Sequence, residues 1–216
     1  MDFAVARRNM VDCQIRPNRV DDERIINALL EIPREIFVPD HLAGVAYVDE
    51  SVPLGNDRCV MEAMIIARLL QTASLRFEDV AMSIGCGTGY AVAILAKIVD
   101  TVVAVECDKG LVKKASENLA AIGLNNVAVV EGALDEGNSE QGPYDVIFFD
   151  GAVEAVPSKI YNQLSENGRL VVIVAGKGTG KACIYTLLDG VIATREVFDA
   201  GTPLLPGFGP PKAFMF

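Results

Sequence analysis

From residue 79 onward, short apolar runs alternate with longer segments of helical period. DVAMSIG, TVVAVE, NVAVVEG, YDVIFFDGA and GRLVVIVA are almost continuously apolar, the pattern of strands buried on both faces. Between them lie YAVAILAKI, then LVKKASENLAAIG with Gly123 in a C-cap position, then PSKIYNQLSEN opened by Pro157, all read as helices. This alternation predicts a mostly parallel sheet with both faces covered. After GKGTG, two β-rich runs flank Asp189 and Gly190, a hairpin signal that adds two strands and makes the sheet seven-stranded and mixed. The acidic ALDEGNSEQGP between the third and fourth strands is expected at the surface.

The first 78 residues follow another pattern. MDFAVARRNMVDCQI and RPNRVDDERIINALLEI are partly amphipathic, with Asp21 or Asp22 able to cap the second segment and Pro33 to stop it. Residues 33 to 55 read as an ordered loop with short strands, and NDRCVMEAMIIARLLQTA returns to helical spacing through Met61, Met64, Ile65, Leu69 and Leu70. The expected organisation is therefore a helical and loop extension, 1–78, packed on an α/β Rossmann-like core, 79–216.

Candidate chemistry centres on VAMSIGCGTGY. A strand enters Gly85, Cys86, Gly87 and Gly89 and leaves as a helix, so the backbone there can approach a ligand closely. The next strand ends in Glu106, whose paired oxygens suit a ribose diol. A dinucleotide fingerprint needs a third glycine where Tyr90 stands, which favours the nucleoside S-adenosylmethionine over a pyrophosphate ligand. NAD, FAD or a purely structural turn remain the alternatives at this point. VAGKGTGK misses the Walker spacing, and Ala182 lacks the hydroxyl, so a turn into the hairpin is expected.

Composition narrows the partners. With 51% apolar residues the chain can bury a large core, and a formal charge of -10 argues against nucleic acid as the main partner. The five cysteines are scattered and unpaired in pattern, which fits reduced thiols in a cytoplasmic protein and no metal site. A single histidine, His41, leaves little room for a His-based triad, and a surface or packing role is expected of it ahead of a general base. No basic leader and no run of eighteen apolar residues point to export or a membrane.

RRNMVDCQI, VDDERIINALLEIPREIFVP, AYVDESVPLG, IGCGTGY, NNVAVVEG, YDVIFFDGA, QLSENGRLV and TPLLPGF together resemble the protein-L-isoaspartate O-methyltransferase family nearly end to end. The resemblance implies a class I S-adenosylmethionine-dependent fold with strand order 3-2-1-4-5-7-6, counted from the strand entering the glycine turn, and with the seventh strand antiparallel. It also implies that Gly85, Gly87 and Gly89 cradle the methionine portion of the donor and that Glu106 holds the ribose. The implied activity is carboxyl O-methylation of L-isoaspartyl residues in damaged proteins or peptides, a repair step. A methyltransferase with another acceptor, and a donor-binding relative without isoaspartyl activity, are the competing expectations.

Two departures bear on the site. The family loop G-Q-T-I-S-Q-P is replaced by DRCVMEA, which puts Cys59 at the Thr position and Met61 at the Ser position. The acidic residue expected after the third strand is replaced in GAL by Ala133, so Ala133 and Leu134 leave adenine only backbone and apolar contacts. An ionised carboxylate is already a nucleophile, so catalysis could rest on approximation and orientation. Residues 55 to 62 and Asp150 to Ala152 are expected to frame the acceptor, with Arg58, Cys59, Met61 and Asp150 as the acceptor-side candidates. Oligomeric state is not legible in the sequence.

Overall fold

A computed structural model describes residues 2–209. Helix α1, Phe3–Met10, is capped by the Asp2 carboxylate and runs on through irregular helical turns to Asn18. Asp22 caps α2, Glu23–Glu31, by accepting from the Arg24 amide, and Ile32 leaves the helix in extended conformation before Pro33.

The next part departs from the expected helical run. Strands β1, Val52–Gly55, and β2, Arg58–Val60, form an antiparallel hairpin, and α3 begins only at Ala63 and ends at Thr72. The cause is local: Asn56 and Asp57 both take positive φ, at 50° and 58°, which is the turn that closes a two-residue hairpin. Arg58, Cys59 and Val60 are thereby drawn out of the helix and into a strand.

The core follows: β3, Val80–Ile84; α4, Tyr90–Ala96; β4, Thr101–Glu106; α5, Lys109–Ala121; β5, Val127–Glu131; β6, Tyr144–Val153; α6, Ser158–Tyr161; β7, Leu164–Val174; β8, Lys181–Leu188; β9, Val191–Asp199. Asp108 caps α5, and Gly123 follows its end with φ of 74°. Helix α6 is far shorter than PSKIYNQLSEN suggested, because Leu164 onward is already taken into β7.

The seven strands lie in the order β5-β4-β3-β6-β7-β8-β9. Strands β5, β4, β3, β6 and β7 pair in parallel, and both β8 and β9 are antiparallel to their inner neighbours. The Rossmann-like mixed sheet is as expected, whereas the edge order is corrected. Counted from β3, it runs 3-2-1-4-5-6-7. The link Ala175–Gly180 is too short for a crossover helix, so β8 folds straight back onto β7, and the Asp189–Gly190 turn then places β9 outermost.

Alternate strand residues face two cores. Ala81, Val102, Ala104, Val146, Phe148, Val171 and Ile173 pack against α1 to α5. Met82, Ile84, Val103, Val105, Ile147, Phe149 and Val172 face the other way. Among the described residues, that second face has only the short α6 for an α-helix, so irregular chain covers it, including Leu134, Leu205 and Phe208. The terminal segment is stitched to the end of β6: the Ala152 amide donates to the Pro203 carbonyl at 3.0 Å, and the Leu205 amide donates to the Ala152 carbonyl at 2.8 Å.

Candidate functional site

The sheet reverses direction of winding between β3 and β6, and the carboxyl ends of those strands are where open α/β sheets bind ligands. Gly85, Gly87 and Gly89 follow β3 with φ of 77°, 56° and 99°, conformations that disfavour any residue with a Cβ. Cys86 is buried between them. Beside the turn, Glu106 ends β4 and is fully buried.

Every acceptor position of Glu106 is in use. Its Oε1 accepts from Arg58 Nη1 at 2.8 Å, the Cys107 amide at 2.8 Å and the Asp108 amide at 3.2 Å. Its Oε2 accepts from Arg58 Nη2 and from the Gly87 amide, both at 2.8 Å. Arg58 Nη2 also donates to the Gly85 carbonyl at 2.8 Å. Burial alone would raise the Glu106 pKa, but the Arg58 hydrogen bonds and charge, with the backbone amides, bring it below the ordinary value. Arg58 is correspondingly held protonated: burial opposes its charge and Glu106 outweighs burial.

Arg58, Cys59 and Asp150 line one cleft, shared with Asp57, Gly151 and Thr202 to Leu205. The free volume there is only about 10 Å³. Cys59 Sγ lies 3.9 Å from Thr202 Oγ1. Asp150 Oδ1 is buried with no hydrogen-bond partner among the described residues. Burial raises the Asp150 pKa to about 7, with Arg58 opposing and Glu106 adding to the rise. Burial likewise pushes up the thiols of Cys59 and Cys86.

Met61 is not part of this cleft. Its side chain is fully buried in the core beneath α3, so the residue at the family's Ser position contributes packing instead. Leu134 packs into the second core, and Ala133 is exposed beside it, next to Gly132, whose amide donates to the Glu106 carbonyl at 3.0 Å. His41 is exposed.

Two contributors escaped the sequence reading. Arg34 is fully buried, donates to the carbonyls of Ala46 at 2.6 Å and Met61 at 2.7 Å, and lies 4.6 Å from the centre of the Tyr90 ring. It fixes the backbone that leads from β2 into α3, and nothing in PREIFVP marked it apart from its neighbours. The other is Leu205. A Cβ built on Gly85 would lie 2.6 Å from Leu205 Cδ2, and one built on Gly151 would also lie 2.6 Å from it. Leu205 therefore lies directly over both glycines at the switch point.

A nucleoside donor would need Gly85, Cys86, Gly87, Gly89 and Glu106, with Ala133 and Leu134 at its adenine end. In the conformation described, these residues do not accommodate it: Arg58 saturates the carboxylate, and Leu205 is packed against Gly85, the first glycine of the turn. Among the described residues there is no grouping of three His, Cys, Asp or Glu side chains able to hold a metal ion. Nor is any described helix long and apolar enough to cross a membrane.

The sequence profile described as Protein-L-isoaspartate(D-aspartate) O-methyltransferase matches residues 6–192. A Protein-L-isoaspartate O-methyltransferase of Roseiflexus castenholzii is 35% identical over 177 residues, covering 82% of this chain and 81% of that protein. Its namesake from Methanoregula boonei is 38% identical over 171 residues, 79% of each. A solved protein-L-isoaspartate O-methyltransferase aligns over 93% of this chain and 66% of its own, with TM-score 0.81 and 26% identity. A structure from Plasmodium falciparum, in complex with S-adenosyl-L-homocysteine, shares the fold at TM-score 0.80 and 20% identity, over 95% of this chain and 98% of its own.

Proposed function

This chain belongs to the protein-L-isoaspartate(D-aspartate) O-methyltransferase family, and we propose that it is an S-adenosylmethionine-dependent carboxyl O-methyltransferase acting on L-isoaspartyl residues of damaged proteins or peptides. The observation that carries this reading is the meeting of the glycine turn and Glu106 at the switch point of a Rossmann-like sheet, in a chain matched to that family along most of its length. The donor supplies an activated methyl group, and the acceptor supplies the nucleophile.

The acceptor side of this reading falls to Arg58, Cys59 and Asp150. A carboxylate acceptor needs orientation and a shielded cleft more than a base, and the one histidine is on the surface. Arg58 is the cation nearest the cleft, and its planar fork suits a carboxylate. Residues 1–78 act in this reading as an extension that supplies the β1–β2 hairpin to a donor-binding core, 79–216. The scattered cysteines, all free, support a cytoplasmic location in this reading.

The test is incubation of the purified protein with methyl-labelled donor and an isoaspartyl peptide beside its aspartyl counterpart. Base-labile label on the isoaspartyl peptide alone is expected. Label on neither peptide, from folded protein at saturating donor, refutes the assignment.

A further inference from the structure

We infer that the chain carries its own stopper in the methyl-donor site, built from Arg58 and Leu205, so that donor uptake requires both side chains to withdraw. The inference rests on the proposed reading of the glycine turn and Glu106 as that site. Three observations carry it.

The first is acceptor capacity. A carboxylate offers about four lone-pair positions, and Glu106 already meets Arg58 twice and the amides of Gly87, Cys107 and Asp108. Ribose hydroxyls can reach Glu106 only by replacing the Arg58 guanidinium. The second is contact. A Cβ built on Gly85 or on Gly151 would lie 2.6 Å from Leu205 Cδ2, so this side chain is packed directly against the first glycine of the turn and against the residue that follows Asp150.

The third is attachment. Arg58 stands on a two-stranded hairpin outside the main sheet. Leu205 lies on a segment joined to Ala152 by two backbone hydrogen bonds, which together make one isolated bridge, and to Glu154 by a third, from its amide to the Phe208 carbonyl at 3.2 Å. Both can move without breaking the seven-stranded sheet, so the closed arrangement is a separable local state. The apparent donor affinity is then the intrinsic one reduced by the fraction of molecules that are open.

Calorimetric titration of S-adenosylhomocysteine into the full-length wild type, Leu205→Ala, Arg58→Gln and the double variant tests this, with circular dichroism confirming each fold. The double variant is expected to bind at least about tenfold tighter than wild type, roughly 1.4 kcal/mol. Wild type binding as tightly as the folded double variant overturns the stopper and leaves the donor reading intact. Binding by no folded variant overturns the donor reading and the stopper with it.

Hydrogen exchange on the wild type needs no variant. S-adenosylhomocysteine is expected to speed exchange at the amides of Leu205 and Ala152. Unchanged or slower exchange there, at saturating ligand, overturns the withdrawal of Leu205.

Discussion

Arg58 and Glu106 are joined fork to fork, each guanidinium terminal nitrogen 2.8 Å from a different carboxylate oxygen, at a position where both side chains are nearly or fully buried. Removing one partner from such a pair leaves an uncompensated charge in a dry site, at a cost of about 3 to 5 kcal/mol. Arg58→Ala is expected to lower unfolding free energy by that order in urea titrations. Adding Glu106→Gln to it should recover part of the loss, since the charge then goes as well. Equal midpoints for Arg58→Ala and wild type would show that the pair contributes nothing.

Asp150 and Glu106 give stability a two-sided dependence on pH. The folded Asp150 pKa, about 7, lies above its ordinary 3.8, so the native state binds the extra proton and its stabilising effect is complete below about 3.8. That contribution is lost as pH rises through 7. Glu106 has the opposite sign, because its pKa falls below the ordinary 4.5 and its contribution disappears as pH falls through the folded value. Chemical denaturation from pH 4 to 8 is expected to show a decline for wild type that Asp150→Asn flattens, and a parallel decline in the variant would assign it elsewhere.

Gly85 and Leu205 should couple energetically. Gly85→Ala places a Cβ at φ of 77° and 2.6 Å from Leu205 Cδ2. The backbone alone costs about 1 to 2 kcal/mol, and the contact adds to it. Leu205→Ala relieves the contact and not the backbone strain, so the double-mutant cycle should be non-additive by about 0.5 kcal/mol or more. Additive losses would mean that the two groups do not meet in solution.

Thiol reactivity should follow exposure. Cys13 and Cys107 are exposed, Cys59 is intermediate, and Cys86 and Cys183 are buried. Partial burial and the neighbouring Glu106 raise the Cys107 pKa, so Cys13 is expected to react first with a neutral-pH thiol reagent, then Cys107. Mass spectrometry of partly labelled native protein reads the order. Early labelling of Cys86 would contradict the closed turn.

The core strands and the glycine turn were legible because each is a local feature. Their cues sit within a few residues: apolar runs, glycines where φ must be positive, and an acid at a strand end. Strand β1 lies where an ordered loop with short strands is expected, but β2 lies where helical spacing through Met61, Met64 and Ile65 predicts a helix, because the positive-φ turn at Asn56 and Asp57 outweighs that spacing. The outer edge of the sheet was misordered for another reason. A resemblance supplied the order, while the short link from β7 to β8 already excluded a parallel crossover.

Sequence by itself determined the parallel strands and the closing hairpin of the sheet, the turn, the carboxylate beside it and the family. Tertiary structure alone decided what that carboxylate touches. Arg58 reaches Glu106 across 48 positions of chain, and Leu205 reaches Gly85 because the segment it lies on covers a sheet face on which the only described α-helix is the short α6. Such contacts depend on how whole layers pack, and no periodicity or local spacing encodes them. The same packing sends Met61 to the core and leaves Arg58, Cys59 and Asp150 together at the cleft.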